Sequence, residues 1–497
     1  MTTEKATVQG AKALEFHGGS LVSFLPFIIF IVAVITLGLL GGFSLQAFVG
    51  FAVVGLIIGT FFAKDWGRYW DAVMHGITDR STGILVAIFL MAGLFSNLMA
   101  NGRLAEGIVW AGYSIGLTGS AFVAFTFIAS LLFGLATGTS VGTVITMTPI
   151  FFPAGMLLGG NPVFLLGAIL SGAAFGDNLA PVSDTTIISA SSQAYSRKPG
   201  YADVGGVVAS RAKYAIIAAA VALVLYLVLG AAGAADIRGD AAMLAKYSYP
   251  LGLVMLVPMI IVIWIAVSGR SIFTALIGGI LSGSVIGIVA GILKPSSFIQ
   301  IKNGDVAGII PGGVGGVFAS ILVYMAIMAM MGVVRSSGAL DRLTDALTAH
   351  VAKSPRGCEA TIFASTTVMG VLNSGITTSV VAIMGPIVNS IGGKWRIHPY
   401  RRANLVDAVA NTWAYFIPWS AFIFIVSGII GSMKDAYPFL VTPKPTSYFF
   451  AAFHPWALWF VILFSVVTGF GRIFEGRDGR VINAWFSNRV PEEAQGD

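Results

Sequence analysis

Thiols, imidazoles and charges are all scarce in this chain. Its one cysteine, Cys358, leaves no disulfide framework and no thiolate metal site. The five histidines, His17, His75, His350, His398 and His454, are spread through tails and loops and read as solvated residues, not as a metal centre. Charged side chains make up 10% of the 497 residues, where a soluble protein carries about 25%. That shortage excludes a large soluble fold. There is no GxxxxGK[ST] loop to cradle phosphates, which disfavours an ATP-driven pump. No nucleophile stands with a base and an orienting group, so neither an enzyme nor a cofactor is expected. Residues 1–20 carry Glu4, Lys5, Lys12 and Glu15 ahead of an apolar run of full membrane length, so no cleavable signal peptide is expected.

Apolar length is what the chain has in excess. Hydrophobic residues are 56% of it, in repeated runs of ~18–20 residues, the length of a helix through a bilayer. The chain reads as an all-α polytopic membrane protein. Crossings are expected near 21–40, 44–62, 82–100, 162–192, 214–232, 250–267, 272–292, 314–334, 402–433 and 455–471. The stretches 120–158 and 359–391 are each expected to enter and return on one side. With both termini inside, most Lys and Arg fall on the cytoplasmic side, among them Lys64, Arg68, Arg80, Arg197, Lys198, Arg211, Lys213, Arg396, Arg401, Arg402 and Arg472. Residues 1–20 and 472–497 are then cytoplasmic tails, Cys358 lies in a loop, and Arg401 and Arg402 are positive anchors. This excess also explains the formal charge of +7 without a nucleic-acid partner. Segment 63–81 mixes charge with aromatics and is expected on the cytoplasmic surface.

Asp177 breaks the apolar pattern. A helix rises about 1.5 Å per residue, so Asp177 sits roughly 22 Å along the run from Pro162, near the middle of a core about 30 Å thick. A charge there costs roughly 2.5–3.5 kcal/mol on insertion scales, which makes it a functional candidate. Four residues on, Pro181 has no N–H for the carbonyl of Asp177 and pushes against it. One residue thus offers a carboxylate and a freed backbone oxygen at membrane depth, with Asp184, Thr185 and Thr186 just past the break.

The chain resembles itself. Pro149, Pro162 and Pro181 match Pro386, Pro399 and Pro418, each pair 237 positions apart, and Gly138, Ile150 and Ser183 match Gly375, Ile387 and Ser420 at the same offset. The first hairpin enters from outside and the second from inside. Residues 21–232 and 250–471 are therefore expected to be two inverted-topology repeats, each with a re-entrant hairpin and a Pro-broken helix. That is the build of secondary transporters. Both hairpin tips are polar, with Thr139 and Ser140 in the first and Asn373, Ser374, Thr377 and Thr378 in the second. Such residues supply oxygens and helix-end dipoles for an ion, or merely allow close helix packing.

The halves differ in chemistry. The offset carries Asp177 to Ala414 and Asp184 to Ala421, and the second broken helix instead has Asn411 and Thr412 near the midplane. Asp407 is expected to pair with Arg401 or Arg402. Carboxylate, amide and hydroxyl oxygens suit a hard cation such as Na⁺. Trp413 and Trp419 flank the second break.

The run Gly176-Asp177-Asn178-Leu179-Ala180-Pro181-Val182-Ser183-Asp184-Thr185-Thr186 resembles the GD-x-[LM]-[SA]-P-[LIV]-SDTT signature of NhaC-type sodium/proton antiporters, part of the wider ion-transporter superfamily. The resemblance implies Na⁺/H⁺ exchange in a bacterial inner membrane. Asp177 and Asp184 would be the Na⁺ and proton residues, with Asn178, Ser183, Thr185 and Thr186 as polar partners. It also implies elevator-like movement, and a homodimer is expected because related carriers often pair. Relatives in this family carry organic solutes. The alternative is therefore a Na⁺- or H⁺-coupled carrier of an organic anion, amino acid or drug, as in malate/lactate exchange.

Overall fold

The structure is a computed structural model and describes residues 13–40, 42, 44–233, 246–302, 304–340, 342, 354–373 and 375–495. Ser374 therefore lies outside the described residues. Among them, ten helical stretches are long and apolar enough to cross a membrane. Eight of them overlap expected crossings and two are the arms of the first hairpin, whereas the crossings expected at 402–433 and 455–471 have only shorter apolar helices, Ala421–Met433 and Phe453–Thr468.

One compact unit comprises residues 1–87 and 319–350. It contains α1 (Leu25–Leu39), α2 (Leu45–Phe62) and α3 (Trp66–Thr78). Asp65 caps α3 by accepting from the Arg68 N–H at 3.0 Å. On α3, Tyr69, Ala72, Val73 and Gly76 are buried while Trp66 and Trp70 are exposed, so segment 63–81 is an amphipathic helix. The stretch expected as an N-terminal tail is partly folded. Leu14 and Phe16 are buried, and the Leu14 N–H donates to the Ser336 carbonyl at 2.9 Å.

The other unit comprises residues 88–318 and 351–497. Two helices, α4 (Arg80–Asn101) and α13 (Ile309–Ser336), have residues in both units. In this second unit the chain forms α5 (Leu104–Ser114), then a hairpin of α6 (Gly119–Thr137) and α7 (Ser140–Leu157). The first broken helix follows as α8 (Pro162–Leu179) and α9 (Asp184–Ser191). Next come α10 (Val204–Leu229), α11 (Leu256–Val267), α12 (Ile272–Val289) and a small ribbon of β1 (Gln300–Lys302) and β2 (Asp305–Ala307). A second hairpin is α14 (Pro355–Leu372) and α15 (Thr377–Lys394), and a second broken helix is α16 (Pro399–Trp413) and α17 (Ala421–Met433). Then come α18 (Phe453–Thr468) and an antiparallel pair, β3 (Ile473–Glu475) and β4 (Val481–Asn483).

Both hairpin tips end against a helix break. Gly138 has φ +64°, and a Cβ there would lie 2.6 Å from Val182 and 3.0 Å from the Ser183 nitrogen. Gly375 has φ +93°, and its Cβ would lie 2.5 Å from the Ser420 hydroxyl. Glycine is required at both by the left-handed backbone and by the close approach. The α6 and α8 backbones touch as well, since a Cβ on Gly176 would fall 2.2 Å from the Gly134 carbonyl carbon. This contact places Asp177 one residue beyond a rigid helix crossing.

Several expectations are corrected. The crossing expected at 214–232 begins at Val204, because Asp203 caps it through the Gly206 N–H at 2.6 Å. Arg211 is thereby drawn inside a helix and fully buried. Arg401 is no exposed anchor. Its Nε and Nη2 donate to Glu359 at 2.9 and 3.1 Å, and Arg472 adds 2.7 Å to the same carboxylate, all buried. Arg402 is buried too, bonded to Asn389 and to the Ala194 carbonyl. Cys358 is buried within α14, not in a loop. His398 and His454 are buried rather than solvated. The stretch 472–497 is folded at its start: Glu475 is buried and accepts from the Ser196 and Arg197 N–H groups, each at 2.8 Å.

Candidate ion site at the helix breaks

The first break spans 180–183, where α8 stops and α9 has yet to begin. The Asp177 carbonyl, deprived of a helical donor by Pro181, accepts the Thr185 hydroxyl at 3.4 Å. The Asp177 side chain is 5% exposed and turned into the protein. Its Oδ1 accepts from Ser183 Oγ at 2.6 Å, and its Oδ2 from Ser140 Oγ at 3.0 Å and Tyr415 Oη at 3.2 Å. Three neutral hydroxyls from three segments converge on one carboxylate: the hairpin tip, the first break and the second break. Hydroxyls donate to a bare carboxylate but can rotate and present lone pairs to a cation beside it.

A second cluster adjoins the first. Thr185 Oγ1 contacts Ser183 Oγ at 3.1 Å and accepts from Asn411 Nδ2 at 3.2 Å. Asn411 Nδ2 also donates to Asp407 Oδ1 at 2.6 Å. Asp407 forms a buried ion pair with Arg211. The same guanidinium donates to the Asn178 carbonyl, to Thr186 Oγ1 at 3.2 Å, to Ser189 Oγ at 3.3 Å and to Asn404 Oδ1 at 3.1 Å. Arg211 thus ties both ends of the first break to the second broken helix. The expected partners of Asp407, Arg401 and Arg402, are occupied by Glu359 and by Asn389 with Ala194.

Two buried amide oxygens, Asn178 Oδ1 and Asn411 Oδ1, have no hydrogen-bond partner among the described residues. A buried acceptor left unmet is unfavourable by about 1–3 kcal/mol. Such oxygens suit a hard cation.

The structure therefore brings together Asp177, Ser140, Ser183, Thr185, Thr186 and Asn411, with Asn178 alongside through its backbone. Other expected residues are placed elsewhere. The Asp184 side chain is exposed on the first turn of α9 and does not join Asp177, because the break turns it outward. Thr139 caps α7 by accepting from the Gly142 N–H at 3.2 Å. Thr412 bonds the Val409 carbonyl one turn back, at 2.7 Å. Asn373 ends α14, where its amide donates to the Met369 carbonyl at 3.1 Å. Thr377 and Thr378 open α15, on the second hairpin. Two site residues escaped the sequence reading. Tyr415 lies 237 positions after Asn178, so the repeat offset pointed to it. Arg211 falls in a loop if the crossing starts at 214, although Asp203 ahead of a run of small apolar residues signals a helix start.

The sequence profile of the Na⁺/H⁺ antiporter family matches residues 13–231 and 214–456. An uncharacterised Na⁺/H⁺ antiporter of Haemophilus influenzae is 21% identical over 84% of this chain and 89% of its own length. The Na⁺/H⁺ antiporter NhaC of Alkalihalophilus pseudofirmus is 23% identical over 60% of this chain and 65% of its own. The arginine/ornithine antiporter ArcD of Halobacterium salinarum is 24% identical over 76% of this chain and 80% of its own.

Proposed function

This chain belongs to the Na⁺/H⁺ antiporter family, and from that premise we propose that it exchanges Na⁺ for H⁺ at Asp177. The chain is a multi-pass membrane protein and a secondary transporter. The observation that carries the finer reading is the contrast between two buried carboxylates. Asp407 has a guanidinium against it, whereas Asp177 has only neutral hydroxyls. An ionised carboxylate away from water is unfavourable unless a positive charge joins it. Either a proton or Na⁺ meets that need at Asp177, and each excludes the other. One site that faces the two sides in turn then suffices for exchange. Ser140, Ser183, Thr185 and Asn411 supply neutral oxygens around the ion, and the Asn178 amide oxygen is close in sequence.

In this reading the halves 21–232 and 250–471 are inverted in the bacterial inner membrane, with both termini on the cytoplasmic side. The repeat offset and the two matched tip-against-break contacts support that arrangement. The test uses everted vesicles carrying a pH-sensitive dye and a proton gradient, to which Na⁺, Li⁺ or K⁺ is added in turn. Dissipation by Na⁺ without any organic solute is expected. A requirement for malate, lactate or an amino acid would overturn the proposal in favour of coupled organic-solute transport. Asn411→Ala in the same assay should weaken Na⁺ dependence and leave its pH dependence largely intact.

A further inference from the structure

A cleft of about 440 Å³ shares no lining residue with the ion site and is lined by Ser196, Arg197, Arg396, Arg477 and Asp478. Three separate segments build it. Arg197 comes from the loop after α9, Arg396 from the turn between α15 and α16, and Arg477 with Asp478 from the turn between β3 and β4. The segments are held in place by bonds that do not use the cleft-facing charges. Glu475 accepts from the Ser196 and Arg197 backbone, and the Glu475 N–H donates to the Arg396 carbonyl at 2.8 Å.

Three arginines and one aspartate are among the residues that line the cleft, a formal balance of +2. Among the described residues, no carboxylate is ion-paired with Arg197, Arg396 or Arg477. Arg197 Nη2 donates to the Ala494 carbonyl at 2.8 Å, while its buried Nη1 has no partner. Arg396 and Asp478 both have φ near +55°. That backbone region costs a side-chain-bearing residue roughly 1–2 kcal/mol. Like charges held together on strained backbone are unfavourable unless an anion joins them.

We propose that this cleft binds a phosphate group. Planar guanidinium forks match phosphate oxygens two at a time, which an ammonium cannot do. A phosphate monoester carries about −1.5 to −2 charge at pH 7, a match for the balance of the cleft. The volume also falls within the roughly 300–1,000 Å³ of small-ligand sites. The group can come from a free phosphate compound or from the headgroup of an anionic lipid. Once bound, it would clip the loop after α9 to the β3–β4 ribbon. It would then stabilise the folded chain by mass action.

The test uses the full-length protein in phosphatidylcholine nanodiscs, read by thermal unfolding. In one arm inorganic phosphate is titrated at ionic strength held constant with chloride. In the other, phosphatidic acid replaces part of the phosphatidylcholine and no phosphate is added. Arg396→Gln and Arg477→Gln are run beside wild type. Arg477 is exposed, so its variant keeps the test open if Arg396→Gln folds poorly. A saturable rise in unfolding temperature with phosphate, lost or weakened about tenfold in the variants, supports the site with a free phosphate. A rise only with phosphatidic acid, again lost in the variants, supports it with a lipid headgroup. No rise in either arm, or an equal rise in the variants, overturns it.

Discussion

The two broken helices share a plan and differ in what they close upon. At the first break Ser183 donates to the carboxylate of Asp177. At the second, Ser420 donates to the backbone carbonyl of Ala414. Both donor and acceptor positions are 237 residues apart between the halves. A hydroxyl is therefore needed at either break, where backbone leaves the helix away from water. The charge is a separate addition to one of them. The second half has its own carboxylate, Asp407, but Arg211 from the first half neutralises it. One half holds a carboxylate among neutral dipoles; the other holds one already matched by a fixed cation. On the exchange proposed above, only the former would take up a mobile ion.

The comparison breaks most decisively at Asp177. Asp177→Asn keeps the shape and removes the charge, and Na⁺-dependent exchange in vesicles should vanish while membrane insertion stays normal. Exchange close to wild type would remove Asp177 from the mechanism. The next largest effect belongs to the paired carboxylate. Arg211→Gln strands Asp407 without its cation and should destabilise the protein by about 3–5 kcal/mol. Thermal unfolding should show that loss, and Arg211→Gln with Asp407→Asn should recover most of it. If the double variant is no more stable than the single, Arg211 acts through its bonds to Asn178, Thr186 and Ser189 and not through charge.

Much of this was legible beforehand. Apolar length gave the crossings, and Pro181 with Asp177 located the first break, because a missing N–H has a local consequence whatever the surroundings. The repeat offset foreshadowed Gly138 and Gly375 at matching tips. Long-range pairing was not legible. Basic residues near a helix end look alike in sequence whether they face water or a buried carboxylate, so nothing in it separates the buried Arg211, Arg401, Arg402 and Arg472 from exposed basic residues. Asp184 was grouped with Asp177 on a shared motif, but the turn at 180–183 sends the two side chains to opposite surroundings. Neither outcome follows from periodicity; both depend on what packs against the helix.

A smaller effect concerns the start of the second broken helix. His398 Nδ1 accepts from the Tyr400 N–H at 3.2 Å, and Nε2 lies 3.2 Å from the Gly479 carbonyl, so the ring sits neutral with Nε2 protonated. Burial holds its pKa down at about 4, against 6.5 for a free imidazole. A depressed value means that the unfolded chain takes up the proton first. The stability that His398 contributes is therefore whole above pH 6.5 and is lost as pH falls through about 4. Unfolding temperature should drop across that window in wild type and drop less in His398→Asn. The first broken helix starts at Asn161 and Pro162, with no titrating group to give it this response.

The finest test returns to the matched serines. Ser183→Ala and Ser420→Ala each remove two buried hydrogen bonds, each worth about 0.5–1.5 kcal/mol. Where that energy appears should differ. Ser420 serves only backbone, so its variant should lower the unfolding temperature and leave the Na⁺ concentration for half-maximal exchange unchanged. Ser183 serves the carboxylate and would lend its oxygen to the ion. Its variant should raise that Na⁺ concentration by about three- to tenfold, since about 1.4 kcal/mol is a factor of ten, with a similar loss of stability. Equal shifts in Na⁺ dependence for both variants would mean that Ser420 acts on the ion as well, and not only Tyr415 of the same break. The division between a charged half and a closed half would then fail.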